Sequence, residues 1–272
     1  MDMETIRRRG LVLLGCGKMG SAMLAGWLAG GLPAASVWVR EPDPSGWLMA
    51  RAAEGLHLDG LPEAPAIVLV AVKPQVMAEA LPALARFGGG ETLFLSVAAG
   101  TPIRFYEEVL GAQTPVIRAM PNTPAAIGRG ITAICGNARV TEAHMALAEA
   151  LLSAVGQVVR LPGEHQMDAV TAVSGSGPAY VFLLIETLAA AGEAEGLPAD
   201  LAMRLAKATV AGAGALAEAA SEDPAQLRVN VTSPGGTTAA ALKVLMDETR
   251  GFPALLREAV HAAAERGREL GR

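Results

Sequence analysis

The feature that most restricts the fold of this chain is a change of regime near Pro162. Up to that point, short apolar runs at 11–14, 37–39, 67–72, 92–97, 116–119, 131–135 and 158–161 alternate with segments of helical composition such as 21–29 and 76–85. The runs lack strict polar alternation, which implies strands covered on both faces, as in a parallel sheet. Strand–helix alternation of this kind predicts a doubly wound α/β domain over residues 1–162. From 163 to 272 the strands stop and Ala- and Leu-rich helices follow, at 178–195, 200–220, 237–247 and 253–270. Gly196-Leu197-Pro198, Asp223-Pro224 and Ser233-Pro234-Gly235-Gly236 punctuate them. Gly212 and Gly214 interrupt a helical pattern at a cost of about 1 kcal/mol each against alanine, and their expected use is close approach by another helix. An all-α half this apolar is expected to complete its core with a second copy of the chain.

Composition narrows the function classes. With 51% hydrophobic and 18% charged residues, the 272-residue chain is a folded protein rather than a disordered one. A net charge of −5, with no long run of either sign, provides no basic stripe for nucleic acid, so an anionic ligand must be held by local groups. Cys16 and Cys135 stand far apart, and the four histidines show no ligand spacing, so neither a disulfide framework nor a metal site is expected. Arg7-Arg8-Arg9 before an apolar run imitates a signal peptide. The run is cut at Gly15, however, and Asp2 and Glu4 sit among the basic residues. No uninterrupted apolar stretch approaches the length of a membrane span. The expectation is a cytoplasmic protein with no membrane partner.

The first apolar run leads into Gly15-Cys16-Gly17-Lys18-Met19-Gly20, which opens a helix. A G-x-G-x-x-G pattern alone is weak evidence among 31 glycines, but its placement between strand and helix makes it a dinucleotide loop. Gly15 permits the tight turn, Gly17 lets backbone approach a pyrophosphate, and Gly20 allows close helix–strand packing. The N–H groups that begin the helix face the diphosphate charge. The first domain is therefore Rossmann-type. The second run ends beside Arg40 and Glu41. A carboxylate there suits the ribose hydroxyls of NADH, and a guanidinium suits the extra phosphate of NADPH. Both are present, and the reading leans to NADPH.

Five further segments narrow the choice: Ala71-Val72-Lys73-Pro74-Gln75, Ser96-Val97-Ala98-Ala99-Gly100, Arg118-Ala119-Met120-Pro121-Asn122-Thr123-Pro124, Ser174-Gly175-Ser176-Gly177-Pro178-Ala179-Tyr180, and Val231-Thr232-Ser233-Pro234-Gly235-Gly236-Thr237-Thr238. In this order, over nearly the whole chain, they resemble the pyrroline-5-carboxylate reductase family. The resemblance implies a Rossmann domain followed by a helical dimerisation domain, and an oligomer built from such dimers. It also implies hydride transfer from NAD(P)H to the imine carbon of a cyclic imine carboxylate, giving L-proline. It assigns Glu164 and Thr237 to the substrate and Asn230 to the cofactor. One departure stands out, His57-Leu58-Asp59, where related reductases place an asparagine that holds the adenosine end.

The segments also carry readings of their own. Ala71, Val72, Lys73 and Pro74 end a buried strand where an open sheet places its ligand crevice. Lys73 suits either the cofactor phosphates or a solvated loop. Ala98 and Ala99 end the next strand, and their small size leaves room for a nicotinamide ring, which must come within roughly 3–3.5 Å of the imine carbon. Residues 118–124, pinned by two prolines, suit a rigid loop as well as a positioning role and are set aside. Ser176 is read as a helix cap whose neighbouring backbone approaches substrate. The turn at 234–238 is the candidate carboxylate site, because it opens a helix with free N–H groups on Gly235, Gly236, Thr237 and Thr238. The Thr238 hydroxyl is placed to hydrogen-bond the ring nitrogen, or else both threonines cap the helix. Two alternatives stay open: a reductase of another cyclic imine or a hydroxy acid, and a dinucleotide-binding regulator without catalysis.

Overall fold

The computed structural model describes residues 3–271, so Asp2, used above in reading the N-terminus, lies outside the described residues. The chain runs α1 (Met3–Arg9), β1 (Leu11–Leu14), α2 (Lys18–Ala29), β2 (Val37–Arg40), α3 (Gly46–Ala53), β3 (Ile67–Val70), α4 (Pro74–Ala80), β4 (Leu93–Ser96), α5 (Ile103–Leu110), β5 (Val116–Met120), β6 (Gly130–Gly136), α6 (Glu142–Leu152) and β7 (Gly156–Arg160). Five helices of two turns or more follow a short α7 (Met167–Val170): α8 (Gly177–Ala194), α9 (Ala199–Ala219), α10 (Pro224–Asn230), α11 (Thr237–Leu245) and α12 (Phe252–Leu270). This is the expected class, a Rossmann-like sheet followed by an all-α region.

The strands form one sheet in the order β2-β1-β3-β4-β5-β6-β7. Every residue of β1, β3 and β4 is buried, which is why those runs read as continuous apolar stretches. The sheet is not wholly parallel, however. β6 runs antiparallel to β5, with Arg118 opposite Cys135, while β7 is parallel to β6. The connection from Met120 to Gly130 holds only a 3-10 turn over Thr123–Ile127, too short for the crossover a parallel return requires. The helix expected at 76–85 also splits, into α4 and a 3-10 segment over Leu81–Phe87. Pro82 lacks an N–H and obstructs the carbonyl four residues earlier, so the α-helical pattern cannot continue.

Among the described residues, compact packing divides the chain into residues 3–175 with 264–271, and residues 176–263. The strands stop at Arg160, near the change of regime, yet the first unit extends past the expected 162/163 division and takes in the end of α12. Ala264 and Gly267 on that helix are buried, and a Cβ on Gly267 would lie 3.2 Å from Asp168 Oδ1. In the second unit α8 and α9 meet at a core of Ala189, Ala202 and Ala206. Gly192 lies at this contact, where an added Cβ would meet Leu197 and Ala202. Gly212 and Gly214 do not have the neighbour expected for them within the chain, for no described atom comes within 4 Å of a Cβ built on either.

The expectation that no uninterrupted apolar stretch approaches a membrane span needs a qualification, although Asp168 and Glu186 do interrupt the run concerned. The continuous helical run Glu164–Ala194 is long and apolar enough, by length and composition, to cross a membrane. Small polar residues also broke the apolar pattern in the sequence without adding charge. Ser174 and Thr187 instead return their hydroxyls to the carbonyls of Val170 and Leu183.

Candidate active site

The chain order reverses between β1 and β3, so the ligand crevice of this sheet lies at their carboxyl ends. The glycine loop fills the space there by backbone alone. Gly15 has φ +89°, in the left-handed region, and a Cβ on it would press on the Ala71 carbonyl at 3.0 Å. A Cβ on Gly20 would stand 2.4 Å from the Gly15 carbonyl oxygen, so the first turn of α2 can pack on the strand end only with glycine. Nothing lies within 4 Å of a Cβ on Gly17. The middle glycine therefore leaves open space, with no internal packing demand. Gly17 is the N-cap of α2 and no side chain caps that helix, so the amides near Lys18 and Met19 remain for an anion. These are the features a pyrophosphate needs, and the loop fits one.

The other predicted cofactor residues converge on the same edge. Gly15 N donates to Arg40 O at 2.9 Å, and Ala71 N to Leu14 O at 2.7 Å. A cleft of about 1070 Å³ is lined by Leu14, Arg40, Glu41, Asp59, Val72 and Arg86. Glu41 is not free in that cleft: its carboxylate accepts from Cys16 N at 2.7 Å and from Asp43 N at 3.3 Å. Arg40 is exposed. The Cys16 thiol is pushed up to about 11, first by burial and then by the Glu41 charge, so it contributes backbone and no nucleophile. Lys73 and Pro74 are exposed at the start of α4, where Lys73 is the N-cap without a side-chain bond. Asp59 lines the cleft, while its neighbour His57 stacks on Trp38 at 4.4 Å, a structural contact.

Residues 97–102 form the loop after β4, and a polar cluster fixes it. Ser96 Oγ accepts from Ala98 N at 3.2 Å and shares a 2.5 Å hydrogen bond with the buried Tyr106 hydroxyl. Burial pushes the Tyr106 phenol up, opposed by its bonds to Ser96 and Thr101, so it stays neutral. At the far end, Glu164 Oε1 accepts from Ile103 N at 2.9 Å and from Arg118 Nη1 at 2.7 Å. Glu164 thus caps α5, which has no cap of its own side chains. Arg118 was set aside in the sequence reading, yet it is buried and paired. The signal was available: a charged residue within a fully apolar strand needs an acid close by. Asn122, from the same segment, accepts from Ile131 N and holds the loop to β6, a structural role.

The remaining predicted residues lie in the second unit, apart from this cluster in sequence. Ser176 occupies the N-cap position of α8 but caps nothing, contrary to expectation. The preceding residues 171–175 already form a π-helical turn, so the helix continues through Ser176 instead of starting there. At the 233–236 turn, Gly235 has φ +69° and Gly236 N donates to Ser233 O. α11 then opens at Thr237, with Gly236 as N-cap and no side-chain cap. The threonine hydroxyls therefore do not cap the helix, and its first amides and the half-buried Thr238 hydroxyl are available to a ligand. Asn230, at the end of α10, accepts from Gln226 Nε2 at 2.8 Å.

Comparison with known proteins agrees with this division. A family model described as pyrroline-5-carboxylate reductase dimerisation matches residues 164–270, and one described as NADP oxidoreductase, coenzyme F420-dependent, matches residues 10–100. The chain is 42% identical over 266 residues to a pyrroline-5-carboxylate reductase of Pseudomonas aeruginosa, covering 96% of each. Among solved structures it resembles a pyrroline-5-carboxylate reductase from Coxiella burnetii (TM-score 0.89, 33% identity, 97% and 99% covered). A second likeness is to a pyrroline carboxylate reductase of Plasmodium falciparum with NADP bound (TM-score 0.82, 27% identity, 98% and 99% covered).

Proposed function

The chain belongs to the pyrroline-5-carboxylate reductase family, and from that premise we propose how its residues divide the work. It is an NAD(P)H-dependent oxidoreductase acting on a C=N bond, and it reduces 1-pyrroline-5-carboxylate to L-proline in the last step of proline biosynthesis. It assembles through its C-terminal helices. The proposed unit of assembly is a dimer. The cytoplasm is the proposed compartment, a reading supported by the two unpaired thiols, Cys16 and Cys135.

NAD(P)H, when bound, supplies the hydride. The amides of residues 15–20 take its pyrophosphate, the strand ends at Ala71–Pro74 line it, and Ala98 and Ala99 leave space for the nicotinamide. On the substrate side, the bare amides that open α11 take the carboxylate, and the Thr238 hydroxyl hydrogen-bonds the ring nitrogen and relays the proton that the amine gains. Glu164 keeps one oxygen, Oε2, for the substrate, while Oε1 is spent on Arg118 and Ile103 N. The uncapped start of α11 carries this reading, because a side-chain cap would have occupied those amides. Parallel assays with pyrroline-5-carboxylate, pyrroline-2-carboxylate and piperideine carboxylate test it. The five-carboxylate is expected to be reduced with the highest kcat/KM, and a higher value for either competitor would reassign the substrate.

NADPH is the proposed preference. The exposed Arg40 guanidinium borders the adenosine cleft, while the Glu41 carboxylate is drawn back onto Cys16 N. Arg40→Ala is expected to lower kcat/KM about tenfold for NADPH and little for NADH, in line with loss of one charge-assisted phosphate contact. An equal fall for both cofactors would remove Arg40 from that role.

A further inference from the structure

The loop after β4 is held from below by Ser96 and Tyr106 and at its far end by Glu164. A third contact comes from much later in the chain. The last turn of α12 rests on Gly100: a Cβ on Gly100 would lie 3.1 Å from Leu270 Cβ, and one on Gly271 would lie 3.3 Å from the Gly100 oxygen. Arg104 Nη2, in the first turn of α5, donates to Gly271 O at 3.0 Å. Ala264, Gly267 and Gly271 fall on one face of the helix, and the buried Gly267 sets it against Asp168 on α7. The small residues on this face let backbone meet backbone at the loop. Gly100 adopts φ +72°, a conformation that costs other residues energy, so both its backbone and its missing side chain suit this contact.

We propose that the end of α12, with Arg104 as its clasp, is a positioning element that fixes residues 97–101, the loop against which the nicotinamide is aligned. The inference rests on the reading above that Ala98 and Ala99 border the nicotinamide. Arg104 and Gly267 are positioning residues and touch neither cofactor nor substrate. The pyrophosphate is gripped separately by residues 15–20, so loosening the loop is expected to spoil alignment while leaving cofactor affinity almost unchanged.

Two full-length variants test this. Arg104→Ala removes the clasp at the surface, and Gly267→Leu wedges α12 away from Asp168. The expected result is a fall in kcat of about threefold and about tenfold respectively, from misalignment of the reacting atoms. NADPH affinity, read by quenching of protein fluorescence, stays within about twofold because the glycine loop is untouched. Amide hydrogen exchange is measured on the same variants. The amides of residues 98–103 exchange faster in both, with residues 11–14 and 67–70 unchanged. Unaltered kcat and unaltered exchange at 98–103 in Arg104→Ala and Gly267→Leu overturn the proposal. Ala99→Leu, at an exposed position, separates the two claims. If it leaves kcat intact, the nicotinamide is not aligned there and the proposal goes with that reading. If it lowers kcat while Arg104→Ala and Gly267→Leu do not, only the positioning element is rejected.

Discussion

The two units of this protein answer the same demand, removal of apolar surface from water, in opposite ways. The first encloses its own core: β1, β3 and β4 are buried end to end, with α2 and α6 on one face, tied by a hydrogen bond from Trp27 Nε1 to Leu151 O, and α4 and α5 on the other. The second finds only three alanines to bury and leaves Phe182 at 62%, Leu183 at 57% and Val244 at 70% exposure. Its helices are as regular as those of the first unit, so propensity is not what separates them. Helix formation fixes the backbone, but a packed interior needs a second layer, and here that layer is another copy of the chain. Charges follow the same contrast. The first unit buries Arg118 and pairs it with Glu164, while in the second the start of α11 is left polar and uncapped.

The sharpest way to break this comparison is to charge the open face. Phe182→Asp combined with Leu183→Asp removes four large apolar side chains from a dimer, worth about 1.5–3 kcal/mol each when fully buried. The expected outcome is loss of the dimer in sedimentation at micromolar concentration, together with loss of activity. A double variant that stays dimeric would show that α8 is not the assembling face.

Next in size is a break inside the first unit. Arg118→Met leaves the Glu164 carboxylate without its cation and removes one of the two bonds that hold it at the start of α5. Breaking such a pair costs about 3–5 kcal/mol, which corresponds to a fall in Tm of roughly 10 °C for a chain of this size. Arg118→Lys is expected to recover part of that loss, though not the guanidinium geometry. Equal melting of the wild type and Arg118→Met would mean that the pair contributes nothing to the fold.

These two substitutions differ in how visible their targets were beforehand. Burial within one chain leaves a local imprint, since a strand covered on both faces is apolar at every position, and β1, β3 and β4 could be read for that reason, whereas the partly exposed β2 and β7 were read from their short valine-containing runs. Direction left no such imprint. The reversal at β6 follows from the shortness of the 121–129 connection, a fact about chain length that apolar runs do not record. The glycine loop was legible because each glycine there answers a separate steric need. Arg118 was overlooked because its partner, Glu164, lies 46 residues later and no local pattern joins them. Ser176 misled for the opposite reason: a Ser-Gly-Pro sequence looks like a helix start, and the π-helical turn before it supplies the missing helix instead. The close approach of α12 to Gly100 has a sequence trace only in Gly267 and Gly271, and small residues near a helix end have many uses.

Smaller, and confined to chemistry, is Thr238→Ala. The hydroxyl caps nothing, so its loss leaves α11 as stable as before. If it relays the proton to the ring nitrogen, kcat falls about a hundredfold, the lower range for general acid–base catalysis, with NADPH affinity unchanged. Where Arg118→Met is read in Tm with a secondary effect on rate, Thr238→Ala is read in kcat with none on Tm. Unchanged turnover in Thr238→Ala would remove it from the reaction and leave the α11 amides and Glu164 as the substrate's polar contacts.

The smallest expected effect is an absence of change, and it tests whether the first unit stands without its partner. Both cysteines belong to that unit and both thiols are pushed up to about 11, chiefly by burial, with the Glu41 charge adding at Cys16 and the Glu164 charge at Cys135. At pH 8 such thiols are almost wholly protonated, so a disulfide reagent attacks them on the order of a hundredfold more slowly than thiols in an unfolded chain, from ionisation alone. A raised folded-state pKa gives a contribution to stability that is complete below the ordinary thiol range near 9 and is lost as pH climbs toward 11. If the first unit holds its own core, the Phe182→Asp, Leu183→Asp variant keeps both thiols as slow as in the wild type at pH 8, and both proteins lose protection together above pH 9. Fast labelling of Cys16 or Cys135 in the split variant would mean that the partner also sustains the first core, and the contrast between the two units would be one of degree.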